Sequence, residues 1–108
     1  NALFTTGNAP AKFVDFCVFS GTFNLTHSDS PDLWMAYIFA CLDRCMARAR
    51  YGLVLNLLCA PKAKIKNQIF YADRAAFIRR AEAAIGPTHA QATKHVSGDV
   101  SFVITRKT

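Results

Sequence analysis

The chain has 108 residues, 52% of them apolar, and its thirteen basic side chains against seven acidic ones leave a formal net charge of +6. That length supports one buried core and no second domain, and the apolar share is too high for a disordered segment. No apolar run is long enough to span a bilayer, so no membrane partner is expected.

Residues 1–12 carry a short apolar patch, Ala2-Leu3-Phe4, followed by Gly7, Asn8 and Pro10, and read as a lead-in segment to a single domain. They lack the basic start and apolar middle of a secretion signal. The chain begins with Asn rather than Met, which suggests a processed or truncated product. Phe13 to Ser20 is nearly continuous in apolar residues, the pattern of a strand buried on both faces, and it breaks at Gly21-Thr22-Phe23-Asn24. Open α/β sheets bind ligands at the carboxyl ends of their strands, which makes Ser20, Gly21 and Asn24 the first candidates for chemistry.

Ser30-Pro31-Asp32 has the makings of a helix start: a capping hydroxyl, a proline for the first position, and an acid for the positive end of the dipole. The helix is expected to run to about Arg50, with Trp34, Ile38, Cys41, Cys45 and Ala49 on its buried stripe. Gly52 to Leu58 reads as a second buried strand, interrupted by Asn56. Strand, helix and strand in that order predict a right-handed parallel crossover. Residues 60–72 read as a basic loop with Lys62, Lys64 and Lys66, closed by Phe70-Tyr71, before Asp73 caps a helix that Gly86-Pro87 ends. About Ala90 to Val96 and Val100 to Arg106, joined through Ser97-Gly98-Asp99, predict an antiparallel hairpin.

Cys17, Cys41, Cys45 and Cys59 lie in apolar surroundings without a CxxC spacing, so buried free thiols are favoured over a metal knuckle or redox motif. This usage points to a reducing, cytoplasmic setting. The basic residues are scattered rather than gathered into a patch, so nucleic acid is not the favoured partner. His89 and His95 share a strand face but have no third ligand type nearby, and no metal is expected.

The order of elements resembles the C-terminal half of the class I S-adenosylmethionine-dependent methyltransferases, whose sheet is parallel except for the second arm of a terminal hairpin. Ser20-Gly21-Thr22-Phe23-Asn24 looks like the Ser-Gly-x-Phe-Asn turn of a bacterial branch of that family. Trp34 and Tyr37, Gly52 with Asn56 and Leu58, and Phe70-Tyr71-Ala72-Asp73 match the same branch in order, so the resemblance covers the chain from about Lys12 to its end. It implies an α/β fold with a partial Rossmann-like methyltransferase sheet, and methyl transfer from S-adenosylmethionine to an acceptor the sequence does not identify. Ser20 and Gly21 would then lie beside the cofactor, with Thr22, Phe23, Asn24, His27 and Tyr71 toward the acceptor. No catalytic residue is assigned, because methyl transfer to an acidic nucleophile needs mainly proximity and in-line orientation.

Two departures from the family stand out. The glycine-rich cofactor turn is missing, which implies that the N-terminal cofactor-binding half is supplied elsewhere or has been lost. The segment after His95 reads Val96-Ser97-Gly98-Asp99 instead of the acidic and aromatic turn of the branch. Each candidate also has a plainer reading. Asn24 bonds its own backbone, Asn56 is a hydrogen-bonded core residue, His27 is an exposed loop residue, and Phe70 with Tyr71 is a hydrophobic staple. A non-catalytic interaction module is the rival function, using the basic loop or an unpaired sheet edge at Phe13 to Ser20 that would recruit another chain or a second copy.

Overall fold

A computed structural model describes residues 2–4, 12–94 and 96–107. The elements run β1 (Ala2–Phe4), β2 (Val14–Phe19), α1 (Pro31–Met46), β3 (Ala49–Ala60), β4 (Lys64–Lys66), β5 (Ile69–Asp73), α2 (Arg74–Ala84), β6 (Thr88–Ala92) and β7 (Asp99–Thr105). The result is a small mixed α/β domain dominated by sheet. β2 and β3 are parallel and are joined by α1, the expected crossover. β7 lies antiparallel between β3 and β6, so β6 runs in the direction of β3.

Helix starts are encoded locally. The Ser30 hydroxyl accepts the Leu33 amide at 3.2 Å, with Pro31 at the first helical position and Asp32 in the first turn. The Asp73 carboxylate accepts the Ala76 amide at 3.1 Å and caps α2 as expected. At the far end of α1 the Arg106 guanidinium donates to the carbonyls of Met46 and Ala49. This places a cation at the negative end of the helix dipole.

Three expectations need correction. Ala2–Phe4 is not a loose lead-in: it is a strand paired in parallel with Phe16–Val18, so part of the edge expected to be open is already occupied. Residues 60–72 are not a loop. β4 and β5 form an antiparallel hairpin turned by Asn67 and Gln68, with φ of 53° and 65°, and β5 adds in parallel to the last two residues of β3. Two consecutive positive φ values define a tight turn whose twist suits a hairpin, although its usual glycine is missing. Finally, α1 stops at Met46 and β3 begins at Ala49, earlier than expected, while the first arm of the terminal hairpin is Thr88–Ala92. The part of that arm at His95 lies outside the described residues.

Among the described residues both helices lie on one face of the sheet. Cys17 and Phe19 of β2, Leu53, Leu55 and Leu57 of β3, and Val100, Phe102 and Ile104 of β7 are all buried beneath α1 and α2. α1 contributes Ile38, Cys41, Leu42 and Cys45, and α2 contributes Phe77, whose ring lies 4.6 Å from that of Phe102. Each such large side chain stabilises the fold by about 1.5–3 kcal/mol. Strand alternation turns Phe16, Val18, Val54 and Val103 to the opposite face, where they remain half-buried. Between Val14 and Phe16 the register shifts, so that Asp15 alone of β2 stands against Arg50 and Tyr51 of β3. Gly52 then approaches β7 so closely that a Cβ would collide with the Ile104 carbonyl oxygen. Close backbone approach accounts for a glycine in the strand.

Candidate functional site at the carboxyl end of the parallel strands

β2 ends where its chain must turn out of the sheet, and Gly21 makes that turn with φ of 66°, a conformation that costs other residues about 1–2 kcal/mol. The Gly21 amide donates to Asn56 Oδ1 at 2.7 Å. Asn56 in turn donates through Nδ2 to Asp99 Oδ1 at 2.9 Å, and Thr93 Oγ1 donates to Asp99 Oδ2 at 2.7 Å. The amide orientation of Asn56 is fixed by chemistry, because the Gly21 N–H requires an acceptor and the carboxylate requires a donor. Four segments are thereby tied together: the corner after β2, the middle of β3, and both sides of the terminal hairpin. Asp99 is 9% exposed, so both of its oxygens have partners where water is scarce.

This relay forms the floor of a groove of about 320 Å³ on the open face of the sheet, lined by Val18, Ser20, Val54, Asn56, Asp99 and Ser101 among others. Its polar side-chain groups are the hydroxyls of Ser20, Thr93 and Ser101, an amide and a carboxylate, set beside two valines. A second cavity of about 620 Å³ adjoins it and shares Thr93 and Asp99, with Cys59, Pro61, Arg74, Lys94, Val96 and Val100 around it.

The candidate residues do not all meet in one place. Ser20 lines the groove and Gly21 anchors its corner. Phe23, expected on the acceptor side, belongs to the core at 1% exposure, its ring 5.2 Å from Phe19 and edge-on to Tyr37. The Phe23 carbonyl accepts the Trp34 indole N–H at 3.0 Å, which gives Trp34 a structural reason to occupy the first turns of α1. Asn24 has its amide bonded to Gly21 O and its carbonyl to the Phe70 amide, which ties this loop to β5. Its side-chain Oδ1 is buried without a partner among the described residues. Thr22 is half-buried and His27 is exposed, and neither lines the groove. Tyr71 sits on β5 opposite Lys64, whose ammonium lies 5.1 Å from the ring centre, and it is also absent from the groove wall.

Asp99, Thr93 and Ser101 were not singled out by sequence reasoning. Asp99 reads there as an ordinary turn residue after Gly98, and only the register pairing Asn56 with Ser101 brings it to the site.

The thiols are free, with Cys17, Cys41 and Cys45 fully buried. Burial, reinforced by the neighbouring Cys17 sulfur, pushes the Cys45 thiol up to about 12. Burial likewise raises Cys59 to about 11, against the opposing pull of Arg74. Neither is primed as a nucleophile. Among the described residues no three His, Cys, Asp or Glu side chains come together as a metal site, and no helix is long and apolar enough to cross a membrane. Comparison with protein-family models, with curated proteins and with solved structures gave no match.

Proposed function

We propose that the chain is the C-terminal part of a class I S-adenosylmethionine-dependent methyltransferase, with the groove at Ser20, Asn56 and Asp99 as one wall of its site. The observation that carries this reading is the strand arrangement: a parallel pair, β2 and β3, followed by an antiparallel β7 inserted between β3 and β6. A terminal hairpin entering a parallel sheet in this way is the pattern that the resemblance implies. The groove lies at the carboxyl end of β2, beside the middle of β3, and sheets of this class bind ligands at the carboxyl ends of their strands. The face with Phe16, Val18, Val54 and Val103, which neither helix covers, is a surface on which a further layer would pack.

The donor set suits one part of the cofactor. Ser20 and Ser101 hydroxyls offer hydrogen bonds to hydroxyl or ammonium groups, while Val18 and Val54 offer apolar contact. A groove of about 320 Å³ is at the small end for a ligand of that size, in keeping with a partial site. When bound, the cofactor supplies an electrophilic methyl group. The chain's own contribution is positional. The Asn56 and Asp99 relay holds the Ser20-Gly21 corner, and orientation of this kind accounts for much of the rate gain in transfer reactions.

Calorimetry with S-adenosylhomocysteine tests the reading, using this chain and a longer polypeptide expressed with the coding sequence upstream of Asn1. Binding by the longer polypeptide, weak or absent in the shorter chain, is expected. No binding by either contradicts it. The second reading, an interaction module, is favoured by the open apolar face alone. A concentration-dependent dimer in light scattering, with no nucleoside binding, would select it.

A further inference from the structure

The larger cavity has a chemistry of its own that the methyl-transfer reading does not use. At about 620 Å³ it is of a size that takes a small organic molecule. Pro61, Ala92, Val96 and Val100 give it apolar walls, and Val96 stays 51% exposed although it is a large aliphatic side chain. Arg74 and Lys94 stand at its edge, and among the described residues neither is held in an ion pair. One Arg74 N–H makes a long bond of 3.4 Å to the Ala90 carbonyl, which leaves most of the five guanidinium donors available. The one acid on the lining, Asp99, has both oxygens engaged by Asn56 and Thr93. The half-buried Cys59 thiol, raised chiefly by desolvation, marks the inner wall as poorly hydrated. Two cations and one carboxylate leave a single positive charge, which one anionic head neutralises.

We propose that this cavity binds a small monoanionic carboxylate with an apolar body, its head on Arg74 and Lys94 and its body against Pro61, Val96 and Val100. Arginine favours this head group because its planar fork pairs with both carboxylate oxygens. The proposal stands without the methyltransferase reading, and its test contains no methyl donor.

The probe is 1-naphthoate, titrated into the isotopically labelled chain and followed through backbone amide shifts. Saturable shifts at Arg74, Lys94, Gly98 and Val100 are expected. Neutral 1-naphthamide should bind about tenfold more weakly, as should naphthoate to Arg74→Gln or Lys94→Gln, since a lost charged hydrogen bond is worth roughly that factor. Arg79→Gln removes the same charge from α2 outside the cavity and should leave the affinity unchanged. Val96→Asp, at an exposed position, should abolish binding while the remaining amide spectrum stays intact. Equal affinity for the amide, an equal loss in Arg79→Gln, shifts mapping elsewhere, or no saturable binding would each overturn the proposal.

Discussion

The relay from Gly21 through Asn56 to Asp99 makes a quantitative prediction. Replacing Asn56 by Ala removes the donor to Asp99 Oδ1 and the acceptor for the Gly21 amide, at 2.9 and 2.7 Å respectively. The Gly21 amide is at an exposed corner and water can replace its partner, so that bond contributes about 0.5 kcal/mol. The bond to the carboxylate is charge-assisted and little exposed, and contributes about 1.5–3 kcal/mol. The total of roughly 2–3.5 kcal/mol lowers the melting temperature of a domain this size by about 9–15 °C. A double-mutant cycle with Asp99→Ala isolates the pair, measured by urea unfolding of the four proteins. The coupling should be at least about 1.5 kcal/mol. Additivity to within about 0.5 kcal/mol, the range for independent sites, would refute the claim that Asn56 and Asp99 act as one strut.

Other expectations follow from single features. Arg106→Ala should destabilise the chain by about 1–3 kcal/mol in denaturant unfolding, because Nη2 donates to both the Met46 carbonyl at the end of α1 and the Ala49 carbonyl at the start of β3, and Arg106→Lys should recover only part, because a single ammonium cannot also supply the Nε–H bond to the Arg50 carbonyl. Gly52→Ala should cost about 1–3 kcal/mol or prevent folding, since its Cβ meets the β7 backbone rather than a movable side chain. The buried thiols predict a pH dependence. Cys45 ionises near 12 in the fold against an ordinary value of 9.0, so its contribution to stability is complete below pH 9 and is lost as pH rises from 9 toward 12. Unfolding at pH 8 and pH 10.5 checks this, and Cys45→Ala should shrink the difference without abolishing it, because Cys17 and Cys59 are also raised by burial.

Much of the architecture was legible because it is written locally. Ser30, Pro31 and Asp32 mark one helix start and Asp73 another, and the apolar runs of β2 and β3 announce buried strands. What was missed depends on partners distant in sequence. Ala2–Phe4 is too short to be recognised as a strand without β2 beside it. The β4–β5 hairpin turns on Asn67-Gln68, which lacks the glycine that usually signals such a turn. At the site, the Ser20-Gly21 corner was visible as the break in an apolar run. Phe23 was placed with it by the resemblance of the Ser-Gly-x-Phe-Asn turn, yet an aromatic residue just past a strand end can as readily fold back onto Phe19. Asp99 was hidden for the opposite reason, since 43 residues separate it from Asn56 and only β7 pairing joins them.

The most direct test of the functional account is an amide-shift titration of the longer, upstream-extended polypeptide with S-adenosylhomocysteine. The account predicts saturable changes concentrated at the Ser20 and Gly21 amides and at the Asn56 side-chain amide, all weakened in Asn56→Ala. Saturable binding that leaves these three positions unmoved, or no binding at all, would contradict it.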